Sequence, residues 1–192
     1  MKYLYKYPSR RFPYDKLVSE NAKRSRLERE HQLMDTGVFA EDRYFDIFIE
    51  FAKETEEELL FRVTAYNRGP EAAPLHIIPH FWFRNTWSWG NEKDPSKPSL
   101  RQIAALTAQS KYARLGNQFC QLSPSPGMNM SGQNVQPHMM FTENETNFYA
   151  LYGSKNPQPY VKDAFHRYIV NGERGAINPH CRGSKMAAHY AF

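Results

Sequence analysis

Cysteine is scarce in this chain, which holds only Cys120 and Cys181 and has no Cys-x-x-Cys spacing. That excludes a disulfide-rich framework and a cysteine-built zinc site, and it makes a reducing, cytoplasmic setting the expectation. Long apolar runs are missing too. Mean hydropathy is −0.73, and nothing approaches the roughly 20 consecutive apolar residues that span a bilayer, so no membrane partner is expected. The opening Met1-Lys-Tyr-Leu-Tyr-Lys-Tyr-Pro8 contains no apolar h-region of the kind a secretory signal needs. Leu, Ile, Val and Phe together make up only about a fifth of the chain, close to the floor for a packed core. What compensates is aromatic content, 15% of 192 residues, because each ring can bury roughly 150–250 Å². The length suits one domain of ordinary size.

The net charge of +5 is unevenly spread. Residues 1–30 are basic, residues 35–58 are strongly acidic, and the rest is mildly basic. The basic group Lys23, Arg24, Arg26 and Arg29 is broken by Glu28 and Glu30, the pattern of a solvated surface with local ion pairs. No nucleic-acid motif accompanies it, so no nucleic-acid partner is expected.

Along the chain, a helix compatible with Pro13 in its first turn fits residues 13–27. Residues 32–39 read as a short strand with a turn at Gly37. Over residues 43–51 the side chains alternate, with Phe45, Ile47, Ile49 and Phe51 on one face and Tyr44, Asp46, Phe48 and Glu50 on the other. Residues 59–66 resume the alternation and predict an antiparallel partner. A third strand over residues 75–83 carries Pro79, which pushes it toward an edge or a bulge. Beyond it the pattern predicts a loop at 91–99, a short helix at 100–110 and a flexible insertion at 123–132. Residues 139–152 read as two strands about a polar turn at 143–146, and residues 160–169 as a short helix. A last strand starts at Ser184 with little chain left to pair. The sum is an all-β fold, a β-sandwich that looks incomplete, with a few short helices in one partial domain over residues 1–192.

Three tryptophans fall within eight residues, in Phe81-Trp-Phe-Arg-Asn-Thr-Trp-Ser-Trp-Gly90. Indole faces stack on the apolar faces of a pyranose, and Arg84 and Asn85 can bond hydroxyls, so Trp82, Arg84, Asn85, Trp87 and Trp89 are candidate carbohydrate-binding residues. Packing in a sandwich core or at a domain interface is the competing reading. Glu143 and Asn144 join the candidates, because Glu143 and Glu145 on one strand would sit about 7 Å apart on one face, near the spacing of a glycosidase carboxylate pair. His76 and His80 have the separation of two metal ligands on a helix, yet on a strand they lie about 13 Å apart; no metal and no cofactor is expected. Asp35-Thr36-Gly37 matches the active-site turn of aspartic proteases, but one copy supplies one carboxylate where two are needed.

Beyond these local readings, several runs resemble one family. They are Leu33-Met-Asp-Thr-Gly-Val-Phe39, Asp42-Arg-Tyr-Phe-Asp-Ile-Phe48, Asn67-Arg-Gly-Pro-Glu-Ala-Ala-Pro-Leu-His76, Trp82-Phe-Arg-Asn-Thr-Trp-Ser-Trp-Gly90, Phe141-Thr-Glu-Asn-Glu-Thr-Asn147 and Tyr160-Val-Lys-Asp-Ala-Phe-His166. Together they resemble large bacterial proteins related to glycoside hydrolase family 63, which includes processing α-glucosidases and mannosylglycerate or glucosylglycerate hydrolases. In that family a β-sandwich precedes an (α/α)6 toroid that bears the acid and base carboxylates. The resemblance implies that this chain corresponds to part of the N-terminal β region, with a carbohydrate ligand, a catalytic toroid as partner and no catalytic residue of its own.

Overall fold

The computed structural model describes residues 1–89, 96–129 and 131–192, and these divide into two compact units, Met1–Ala73 and Pro74–Phe192. Strands dominate, three antiparallel sheets with a few short helices, as the sequence pattern predicts. Among the described residues no helix is long and apolar enough to cross a membrane.

The first unit contains β1 (Lys2–Pro8), α1 (Tyr14–Ala22), β2 (Tyr44–Lys53) and β3 (Leu59–Asn67), in sheet order β1-β2-β3. The alternation read from residues 43–51 is realised across all three strands. Tyr3, Tyr5 and Tyr7 stand opposite Ile49, Ile47 and Phe45, which stand opposite Val63, Ala65 and Asn67. Phe45 and Ile47 are buried, while Tyr3, Tyr5, Phe51 and Phe61 stay about half exposed. On the other face Asp46 is buried between two cations, Lys6 Nζ and Arg68 Nε, each 2.7 Å from it. Those hydrogen bonds hold its carboxyl below the usual carboxylate range.

Two sequence expectations in this unit are corrected. The helix stops at Ala22 rather than 27, because Asn21 folds the chain back: its amide donates to the Leu17 carbonyl (3.0 Å) and the His31 carbonyl (2.9 Å), and its oxygen accepts from the His31 N–H (2.8 Å). Residues 32–39 form no strand. Leu33–Thr36 is a 3-10 turn that ends on Gly37 in the left-handed region (φ 71°), and Asp35 accepts from the Gln32 N–H at 2.9 Å. The aspartate of the Asp-Thr-Gly run thus caps a turn.

The second unit begins with β4 (His76–Ile77) and β5 (His80–Trp82), two short pieces divided at Pro79, whose carbonyl accepts from the Ala188 N–H. There follow β6 (Ser99–Ala104), β7 (Thr107–Tyr112), β8 (Gly116–Gln121), β9 (His138–Thr142), α2 (Phe148–Tyr152), α3 (Ala164–Val170), β10 (Arg182–Gly183) and β11 (Lys185–Ala191). One sheet runs β10-β6-β7-β8; in the other, β11 pairs with β4, β5 and β9. Leu100 and Ala108 from the first sheet meet Met139, Phe141 and Met186 from the second, with Phe81, Phe83 and Cys120 packed around them. This is a sandwich core. The opposite face of β9 and β11, Met140 and Ala187, is covered by Phe165 of α3 with Tyr168 and Ile169.

Several expectations fail here. Residues 100–110 form a hairpin, not a helix: Leu100, Ala108 and Ser110 are buried while Arg101 and Lys111 are exposed, a period of two. The turn between β6 and β7 carries no Asn-Gly or Asp-Gly signal, and a register shift between Gln102 and Ala104 accommodates it. Only one strand, β9, lies within 139–152, since residues 148–152 become α2, with the Asn147 side chain accepting from the Ala150 N–H. The 160–169 helix is Ala164–Val170. The final strand, expected to lack a partner, is the centre of its sheet. The expected loop at 91–99 falls mainly outside the described residues, as do Gly90 of the tryptophan-rich run and Met130 of the expected insertion; Ser99 already belongs to β6.

Candidate functional site

The elements that place the candidate residues converge where β9 ends. Thr142, fully buried, donates its hydroxyl to the Val161 carbonyl at 2.9 Å. Its own carbonyl accepts from the Ser184 N–H at 3.1 Å. Gly183 lies so close to the Thr142 carbonyl that a Cβ there would collide with it, so the glycine is what lets the last strand enter beside β9. From Thr142 the chain leaves the sheet, and residues 143–147 meet the run that follows β5.

At this meeting point the polar groups satisfy one another. Asn144 donates its side-chain amide to the Phe83 carbonyl (2.8 Å), and Asn85 donates its own to the Asn144 carbonyl (2.8 Å). The Ser88 N–H donates to the Asn85 side-chain oxygen at 3.2 Å. Ser184, fully buried, accepts from the Asn144 N–H (2.9 Å) and donates to Glu143 Oε2 (2.6 Å). Lys97 Nζ stands 2.7 Å from Glu145 Oε1 and 2.9 Å from Glu143 Oε2, and the Trp87 indole N–H donates to Glu145 Oε1 at 3.3 Å. Burial works against the Lys97 charge, but its bonds to Glu145 and Glu143 outweigh that, and its pKa lies above the ordinary lysine value. One ammonium is thus shared by two carboxylates that have little solvent contact.

Glu143 and Glu145 lie outside any strand, so the two-residue spacing along a strand does not apply to them. What brings them together is the shared ammonium. Asn85, Trp87, Glu143 and Asn144 thus belong to a brace in which each named polar group already has a protein partner.

The other three candidates, Trp82, Arg84 and Trp89, are placed differently. Phe81 and Phe83 turn inward against the core, with ring centroids 5.5 Å apart, so Trp82 and Arg84 fall on the opposite side of the extended run. Trp82 is 52% exposed and Trp89 51%. The Arg84 guanidinium carbon lies 4.9 Å from the centre of a Trp89 ring, within cation–π range. Exposed indoles such as Trp82 and Trp89, the latter beside a guanidinium, can stack on a sugar ring and donate to its hydroxyls.

Sequence reasoning missed Lys97 and Ser184. Lys97 sits between prolines in a stretch without periodicity, and Ser184 is a lone hydroxyl ahead of a strand, so neither carries a local signal. Nor did it connect His76 with His189, residues 113 apart whose ring nitrogens lie 2.7 Å from each other. Exposed apolar side chains also occur on α2, where Tyr149, Leu151 and Tyr152 are mostly solvent-facing.

No family model matches the chain, and no solved structure matches it. The chain is similar to a protein of Saccharomyces cerevisiae described as Uncharacterized protein YMR196W, with 37% identity over 215 residues that take in all of this chain and 20% of the yeast protein. It thus spans about a fifth of the length of that curated relative.

Proposed function

We propose that this chain is a non-catalytic β portion of a glycosidase of the family 63 type, which presents a sugar-contacting surface to be completed by an (α/α)6 catalytic domain. The observation that carries the reading is the division of labour among the candidates. Lys97 engages both Glu143 and Glu145, which suits bracing and opposes proton exchange with a substrate, while Trp82 and Trp89 keep about half of their surface exposed. The sequence runs that resemble the family include this tryptophan-rich run and the 141–147 run, the two segments that meet here.

The test is to incubate the purified chain with α-glucosides, following binding by tryptophan fluorescence and cleavage by released glucose. Saturable quenching without glucose release is expected. Glucose release that disappears in Glu143→Gln or Glu145→Gln would make the braced carboxylates catalytic and overturn the reading. A second reading, a protein-interaction module, is favoured by the exposed Tyr149, Leu151 and Tyr152 of α2.

A further inference from the structure

We propose that His76 and His189 form a two-nitrogen site for a borderline transition-metal cation of the Zn²⁺, Ni²⁺ or Cu²⁺ class, with water completing the coordination. His76 on β4 stands opposite Ala191 of β11, and His189 lies two residues back along that strand. Opposed residues of an antiparallel ladder and residues two apart on one strand share a face, so both imidazoles project from the same side of the sheet. Their rings are within 15° of parallel with centroids 5.0 Å apart, and His76 Nδ1 and His189 Nε2 are in direct contact.

At 2.7 Å the contact holds a single proton between the two ring nitrogens. A cation can take its place. Ligand bonds of about 2.0–2.1 Å at right-angled or tetrahedral geometry put neighbouring nitrogens about 2.9–3.4 Å apart, a few tenths of an ångström beyond the present separation and within reach of side-chain rotation. The strands that carry the two rings are already hydrogen-bonded to each other, so little ordering is left for the ion to impose.

Among the described residues no group of three His, Cys, Asp or Glu side chains is placed to hold an ion. The site therefore has two protein ligands and open positions, the make-up of an exchangeable rather than a structural metal. Nitrogen-only donors also select against Ca²⁺ and Mg²⁺, which require oxygen. His138, directly opposite His189 on β9, shares the face, but its ring packs on Tyr168 with centroids 5.7 Å apart. His80 packs on Phe165 instead.

The experiment is calorimetric titration of untagged protein with Ni²⁺ and Zn²⁺, with Cu²⁺ paramagnetic resonance to count nitrogen ligands. One ion per chain, removable by chelator, is expected. His76→Gln and His189→Gln should each weaken it on the order of tenfold or more, while His138→Gln and His80→Gln leave it nearly unchanged. Far-UV circular dichroism of each variant separates loss of a ligand from loss of the fold. Absence of one-to-one binding in the wild-type chain, unchanged affinity in the two ligand variants, or an equal loss in His138→Gln or His80→Gln overturns the assignment.

Discussion

In Met1–Ala73 three strands lie side by side in one sheet, and the rings on one of its faces remain about half exposed. In Pro74–Phe192 two sheets close on a shared apolar core, and a helix seals the outer face of one of them. The same alternation of side chains thus leads to different burial. Period-two patterning is enough to lay strands side by side, because ladder hydrogen bonds and cross-strand pairs suffice for that. Burying a ring completely takes a second layer, and within the second unit that layer depends on β11, which joins the neighbouring β4 and β5 to β9, more than fifty residues further along the chain.

The largest contrast is expected from truncating one ring in each unit. Phe141 is 1% exposed at the centre of the sandwich, whereas Phe61 is 47% exposed on the open face. Phe141→Ala should cost about 3–5 kcal/mol in urea unfolding, and Phe61→Ala about 1 kcal/mol or less. Equal costs would mean that the open face of the first sheet is covered in solution. A smaller effect is expected from acid. Asp46 is held low by hydrogen bonds from Lys6 and Arg68, and Glu50 by its bond to Arg62 and then by Lys2. The unfolded chain takes up these protons near pH ~4 and the folded sheet only at lower pH. The stabilisation is therefore complete above that pH and is lost as pH falls through the depressed folded values. Amide NMR signals of β1 and β3 should weaken in acid before those of β9 and β11, whose shared core is apolar. Simultaneous loss would show that the two units do not respond separately.

How much the sequence discloses follows the same division. The alternation at Phe45, Ile47 and Ile49 identifies β2 by itself, and its match at Val63 and Ala65 identifies β3, because both faces of that sheet are set by local pattern. The hairpin at residues 100–110 reads as a helix because Ile103, Ala104, Ala105 and Leu106 are helix-compatible residues, and tertiary packing of Leu100 and Ala108 overrides that propensity. The last strand looks unpartnered because its partners are remote in sequence; Met186 opposite both Phe81 and Phe141 is visible only once the chain has folded. In the candidate site, the tryptophan-rich run and the Glu143-Asn-Glu145 run are conspicuous by composition, but their junction through Lys97 and Ser184 is not. Charge pairing and hydrogen bonding between segments some 40–60 positions apart leave no periodic trace in either one.

Three tryptophans that composition alone treats alike are separated by the fold: Trp87 braces it through Glu145, while Trp82 and Trp89 offer open surface. Sugar binding measured on Trp87→Phe and on the double variant Trp82→Ala, Trp89→Ala, alongside their melting temperatures, tests this most directly. Trp87→Phe is expected to melt at a lower temperature yet retain sugar affinity, and the double variant to keep its melting temperature and lose binding. Loss of affinity in Trp87→Phe with binding intact in the double variant would contradict that separation.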